Sequence, residues 1–372
     1  MRSGGGLAIV IAPSFAFVTP GGLRPVPNEK RPPRRARAGR PAAREATLWH
    51  EGPGVSQTIG VDLGGSHVLA AAVDEAGKIL QRAERDIDDH DIDFVIKAIG
   101  EAVDEVLGKE KAATAIGVGS PGLVDLANGV IEYSPNFNWH SVPLGPKLRE
   151  RYALPIYVAN DARCATLGEH AFGTGAGTAD FVLLTLGTGI GGGIIAGGKL
   201  VLGQSASAGE VGHHQVRATD GFICNCGKTG CFEAQASGTG LIRHALAIAH
   251  SFPRSTLVSG KPEKLGSKSI RKAAEAGDPH GTAAWKRYTD DLARGLANII
   301  AFVNPEVIAL GGGVSGAGAF MLDAVRPKVD ELTTMAPRGK TRIVTALLGN
   351  DAGAIGAATM ARRGGLISAV PV

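Results

Sequence analysis

The sequence predicts an α/β protein made of two related halves that face each other across a cleft. Three observations lead there. A strand, a glycine-rich turn and a second strand open each half, in TIGVDLGGSHVLAAAV from Thr58 and in DFVLLTLGTGIGGGIIA from Asp180. Apolar runs of strand length alternate with segments of helical period. The 372 residues exceed what one core usually fills and suggest about two domains.

The first fifty-four residues stand apart from this pattern. They carry nine Lys/Arg and three Glu, end in KRPPRRARAGRPAAREATLWHEGPG, and show no helical or strand period after residue 20. They read as a disordered basic arm. The apolar run Leu7 to Val18 faintly resembles a signal-peptide core, but Pro13 interrupts it and no A-x-A site follows, which argues against secretion. Such an arm could hold nucleic acid or a membrane; a solvated tail, or a start codon placed too far upstream, is the plainer reading. Beyond it remain thirty basic and thirty-two acidic residues, so the globular part lacks a nucleic-acid footprint. No later segment has the ~18 apolar residues of a membrane span. Four cysteines without a disulfide framework point to a cytoplasmic protein.

In the first half, Asp62 ends a buried strand and Gly64-Gly65-Ser66 follow it. A carboxylate there can hold a metal ion or water, and the exposed N–H groups of the loop can hold phosphate oxygens. A plain hairpin turn would read the same. Ile92 to Leu107 has a helical period, and ATAIGVGSPGLVD returns to a buried strand and a turn. Ser120-Pro121-Gly122 lies at that strand's C-terminal end, where α/β sheets place ligand contacts. IEYSPNFNWHSVPL is irregular; Asn136, Asn138 and Trp139 within it are either sugar-binding chemistry or loop filler. LPIYVANDARCATLGEHAFG is a strand ending in Asn160-Asp161 that opens into a helix. The Asp161 carboxylate is either a helix cap, the stronger reading when taken alone, or a base that takes a proton from a bound hydroxyl.

In the second half, the turn from Gly187 through Thr188, Gly189 and Gly191 to Gly193 contains G-x-G-x-G-G, but no helix follows, so the dinucleotide fingerprint fails. Ala236 to Ile248 reads as a helix and Ser251 to Ser269 as a loop. Two helices and a strand then lead to Gly311-Gly312-Gly313, with Asn304-Pro305 stopping the longer helix. Triple glycine lets a flat group such as adenine lie against backbone, or is a mere turn. TRIVTALLGNDAGAIGAATMARR gives a last strand, loop and helix.

Between these elements lies GEVGHHQVRATDGFICNCGKTGCFE, Gly209 to Glu233. Cys224, Cys226 and Cys231 follow two histidines as C-x-C-x4-C. Three thiolates and an imidazole suit a closed, four-coordinate structural zinc site that pins an otherwise unsupported loop. Either it is only a staple, or the staple also fixes Glu210, His213 and Glu233 in a substrate pocket.

From about Thr58 to Arg363 the chain resembles the ROK family (repressors, open reading frames and kinases). The specific part is Glu210-Val211-Gly212-His213 followed by CNCGKTGCFE, similar to that family's E-x-G-H and C-x-C-G-x-x-G-C-x-E signature. The resemblance implies an actin/hexokinase-like ATPase fold of duplicated ribonuclease-H-like halves. It implies a small α/β domain at 55–175 rejoined by a C-terminal helix at 353–372, and a large one at 176–352 with the zinc-binding loop 209–233. Asp62, Gly64, Gly65 and Ser66 then form the first phosphate loop, Gly187 to Gly192 the second, and Gly311 to Gly313 the adenosine site. Asp161 becomes the catalytic base, Asn136, Asn160, Glu210, His213 and Glu233 ligands of the sugar, and His213, Cys224, Cys226 and Cys231 those of zinc.

The activity implied is ATP- and Mg²⁺-dependent phosphorylation of a hexose, glucose first. N-acylmannosamine, N-acetylglucosamine, fructose or allose are alternatives, as is a sugar-responsive regulator. A homodimer or homotetramer is implied, with neither nucleic acid nor membrane as partner. Three departures stand out. Ser66-His67 replaces the usual Thr-Lys of the first loop. One extra residue precedes Cys224, so His213 is the zinc ligand by motif and His214 by spacing; the motif is followed here. The arm is too short and irregular for the regulators' helix-turn-helix domain.

Overall fold

Short runs of Val, Ile, Leu and Ala bounded by glycine turns become the strands of two five-stranded sheets. The computed structural model describes residues 57–108, 113–258 and 265–366, all within the unit Gly52–Val372. The basic arm read at 1–54 and the end of the segment 353–372 lie outside the described residues.

The first sheet contains β1 (Gln57–Leu63), β2 (His67–Val73), β3 (Ile79–Asp86), β4 (Ala113–Ser120) and β8 (Ile156–Asn160), in the order β3-β2-β1-β4-β8. Its helices are α1 (Ile92–Leu107), α2 (Leu144–Arg151) and α3 (Asp161–Phe172). The second sheet contains β9 (Phe181–Leu186), β10 (Ile190–Ala196), β11 (Lys199–Leu200), β12 (Val307–Gly311) and β13 (Arg342–Thr345), in the order β11-β10-β9-β12-β13. In each sheet the first strand pairs antiparallel with the second and parallel with the fourth. That shared order is the duplication that the two glycine hairpins announced.

IEYSPNFNWHSVPL is more regular than its sequence indicates. Together with β5 (Leu123–Asp125), it supplies β6 (Val130–Ser134) and β7 (Trp139–Val142) of a small three-stranded sheet. Strands this short carry too few alternations to show a period. The helices of the second half are α4 (Phe232–Ala236), α5 (Gly238–Ile248), α6 (Ser267–Glu275), α7 (Pro279–Val303), α8 (Ala319–Leu332) and α9 (Ala352–Arg362). Asn304 ends α7 in the left-handed region at φ 47°, just before Pro305. α8 has no counterpart in the sequence reading; Pro327 lies inside it and obscures its period.

Helices α3 and α9 pack on each other, α9 against β1 and β4, and α3 against β9 and β10. Small residues allow this. A Cβ at Gly168 would stand 2.5 Å from the Ala352 carbonyl oxygen, and one at Gly356 would collide with that of Cys164. The start of α3 is thereby held between the two sheets, and residues 160–163 lie there.

Candidate active site

The first turn of α3 concentrates the polar chemistry of this region. Asn160, extended at φ −66° and ψ 140°, is the N-cap, and its carboxamide oxygen accepts from the Arg163 N–H at 3.3 Å. This corrects the reading of Asp161 as the cap, because a cap must precede the first helical residue and Asp161 is that residue. Asp161 Oδ1 accepts instead from the N–H of Ala162 at 2.8 Å. Burial raises the Asp161 pKa; the Ala162 N–H and the Arg163 charge oppose the rise, and Glu210 adds to it. At the end of β1, burial and then neighbouring Asp161 push the Asp62 carboxyl up to about 7. Two half-buried acids that raise each other's proton affinity form a place that suits a cation.

The three glycine runs differ in their surroundings. In the β1–β2 turn, the Gly64 N–H donates to the His67 carbonyl at 2.9 Å, and Ser66 Oγ lies 3.4 Å from His67 Nδ1. His90 Nε2 lies 2.8 Å from the Gly65 carbonyl oxygen. In the β9–β10 turn, Gly187 N–H donates to the Gly189 carbonyl (3.0 Å), and the Gly187 carbonyl accepts from the Gly238 N–H at the start of α5 (2.8 Å). The Thr188 carbonyl accepts from Thr239 Oγ1 at 2.9 Å, and Glu233 Oε2 accepts from the Ile190 N–H at 3.0 Å. A Cβ at Gly191 would stand 2.9 Å from that of Ala162, so this loop adjoins Asp161. After Gly311, Gly312 turns at φ 80° with its Cβ position 2.6 Å from the Leu186 carbonyl oxygen, and Gly313 begins a 3-10 turn. The third run thus lies beside the start of the second.

The cysteine stretch folds back on itself. His213, Cys224, Cys226 and Cys231 bring their ligand atoms within 4.8 Å of one another. Cys224 Sγ lies 3.7 Å from His213 Nδ1, and the Cys226 and Cys231 sulfurs are 3.6 Å apart. A tetrahedral zinc ion would set neighbouring sulfurs about 3.8 Å apart, so the donor set fits that metal. His214 turns away. Its Nδ1 lies 2.6 Å from the Val211 carbonyl oxygen, its ring rests against Phe232, and burial lowers its pKa. The geometry therefore groups His213, not His214, with the thiols. On its other side, His213 Nε2 stands 3.9 Å from Glu210 Oε2. Behind the loop, Arg217 Nε donates to both oxygens of fully buried Asp291, each at 2.9 Å, and anchors the stretch to α7.

The structure draws together Asp62 and Asp161, Glu210 and His213, and Glu233 with the second glycine loop. Asn136 is exposed in the β6–β7 connection. The indole beside it is not a sugar platform. Trp139 is buried, stacks on Phe137 at 4.5 Å and donates to the His90 carbonyl at 2.8 Å, which corrects the sugar-binding option for that ring. Arg163 escaped the sequence reading altogether. A buried cation inside an otherwise apolar helix face was the available signal, and the adjacent Asn160-Asp161 pair drew attention from it.

A profile of the ROK family matches residues 58–364. The chain is 41% identical over 307 residues to the glucokinase of Thermotoga maritima, spanning 81% of this chain and 96% of that protein. Its fold is similar to the crystal structure of a ROK family glucokinase from Streptomyces griseus in complex with glucose and AMPPNP. That match has a TM-score of 0.73 and 36% identity, and covers 83% of this chain and 100% of the other. A ROK family transcriptional regulator, homologous to the E. coli MLC protein, matches with a TM-score of 0.73 and 27% identity over 82% of this chain and 77% of its own.

Proposed function

This chain belongs to the ROK family, and from that premise we propose that it is an ATP-dependent glucose kinase with Asp161 as general base. The observation that carries the reading is the meeting of Asp161, Asp62 and the second glycine loop at the start of α3. In the proposed reaction, Asp161 accepts the proton of a sugar hydroxyl as its oxygen attacks the γ-phosphorus of ATP. The bond to the β-phosphate bridge breaks, and glucose 6-phosphate and ADP leave. The exposed N–H groups of both glycine loops balance phosphate charge, so the chain contributes mainly position and electrostatics. Asp62 would hold Mg²⁺, which would neutralise phosphate charge when bound. Glu210, His213, Glu233, Asn160 and Asn136 are the proposed sugar ligands, although the Asn160 amide already donates to the Gly122 carbonyl at 3.2 Å and accepts from Arg163.

His213, Cys224, Cys226 and Cys231 are the proposed zinc ligands. Thiolate ligands need a reducing compartment, in keeping with a cytoplasmic enzyme. No described helix is long and apolar enough to cross a membrane. The same reading carries a homodimer or homotetramer, measurable by light scattering. A coupled ADP assay over glucose, N-acetylmannosamine, N-acetylglucosamine, fructose and allose, with ATP or polyphosphate as donor, tests the proposal. Fastest turnover with glucose and ATP is expected, and a chain that consumes no ATP with any of these sugars is not a kinase for them.

A further inference from the structure

We infer that Arg163 is a positioning residue, whose single buried guanidinium ties the sugar-facing carboxylate of Glu210 to the helix turn that carries Asp161. The inference rests on the glucose-kinase reading and assigns that site a residue of its own. The Arg163 side chain is 3% exposed, whereas that of its partner Glu210 is half exposed. Nη1 donates to Asn160 Oδ1 at 2.9 Å and forms an ion pair with Glu210 Oε1 at 2.9 Å. Nη2 donates to the carbonyls of Ser207 at 3.1 Å and Ala208 at 2.8 Å. Four acceptors on two segments thus converge on one planar group, which only a forked donor can satisfy.

The segment needs this clamp. Between β11 and the 3-10 turn at Val211–His213 the chain forms no strand or helix, and Ala206 sits at φ 55°. Glu210 leads directly into His213, so an error in its placement would propagate toward the thiol cluster. The Arg163 charge also opposes the burial of Asp161, which helps that carboxylate to ionise. A lysine here would keep the charge but present one compact ammonium, unable to span Asn160, Glu210 and the 207–208 carbonyls together.

The test compares wild type, Arg163→Lys, Glu210→Gln and the double variant in the ADP assay. With Arg163→Lys, the glucose KM should rise about tenfold, the ATP KM should move less than about twofold, and kcat should fall by no more than a few-fold, the signature of lost sugar binding rather than lost chemistry. The double variant should be little worse than Glu210→Gln alone, because both changes break one connection. Equal shifts in both KM values, additive losses, or a lowered melting temperature with an unchanged glucose KM would each overturn the inference. So would insolubility of both Arg163→Lys and Arg163→Gln, which would make the residue a folding requirement. If wild type consumes no ATP, the kinase reading fails on its own; calorimetric glucose binding then decides about Arg163, and equal Kd values in wild type and Arg163→Lys count against it.

Discussion

The two glycine hairpins share a strand pattern and a place in their sheets, yet one is walled in and the other stands open. Around the β9–β10 turn, the Gly238 N–H, the Thr239 hydroxyl, the Glu233 carboxylate and Ala162 all touch the loop. Around the β1–β2 turn, a Cβ at Gly65 would meet nothing within 4 Å, and the contacts come from His67 and His90. The second loop is therefore held by neighbours from three elements, while the first is held by two histidines and its own backbone. Within this shared pattern the cysteine stretch reaches the second loop through Glu233, which accepts from the Ile190 N–H.

Asp161 stands where the two meet, so its removal should cost most. Asp161→Asn is expected to lower kcat roughly 10²–10⁴-fold, the usual worth of a positioned base, while glucose binding measured by calorimetry persists. Turnover within tenfold of wild type would remove Asp161 as the base. The rigid wall of the second loop comes next. Chelation, or Cys226→Ser, should release Glu233 along with the metal loop. The melting temperature is expected to fall by about 5 °C, as a loss on the order of 3 kcal/mol would produce in a chain of this size, and activity should vanish together with it. A metal-free protein with full activity would separate the staple from the site.

How far all this was legible follows from the same contrast. The duplication could be read because strand, glycine turn and strand are local in sequence, whereas the strand order of each sheet came from the fold. The grouping of the three thiols could be read from C-x-C-x4-C, since ligand spacing is also local. The choice of His213 over His214 came from the E-x-G-H motif and not from spacing, because it depends on which ring faces inward across a 3-10 turn. The role of Asn160 as cap in place of Asp161 needed backbone angles at one residue. Trp139 looked like a binding residue because its partners, Phe137 and the His90 carbonyl, are assembled only by the fold. Arg163 was missed for a similar reason, as its acceptors at 207, 208 and 210 lie some forty-five residues away.

Paired substitutions test the loops directly. At Gly189 a Cβ would collide with the Glu233 carboxylate. Gly189→Ala should push the Glu233 carboxylate aside, cost more stability than Gly65→Ala, and lower kcat/KM for ATP. Gly65→Ala has open space and should stay within about 0.5 kcal/mol of wild type, which chemical denaturation can resolve. Equal costs at the two positions would mean that the loops are equally constrained.

The remaining expected effect is electrostatic and belongs to the open loop. Asp62 is the strongly perturbed group beside it, raised from 3.8 to about 7 by burial and by Asp161. A carboxyl whose folded pKa lies above its unfolded value keeps its proton in the folded state between the two. Its contribution to stability is therefore complete below about pH 4 and is lost as pH rises through about 7, with a slope no steeper than about 1.4 kcal/mol per pH unit. Without divalent cation, the melting temperature of wild type should fall from pH 5 to pH 8 more than that of Asp62→Asn. Adding Mg²⁺ and nucleotide should flatten the wild-type profile, because a cation favours the ionised carboxylate. Identical profiles for the two proteins would show that Asp62 is solvated rather than buried, leaving the first loop to its contacts with His67 and His90.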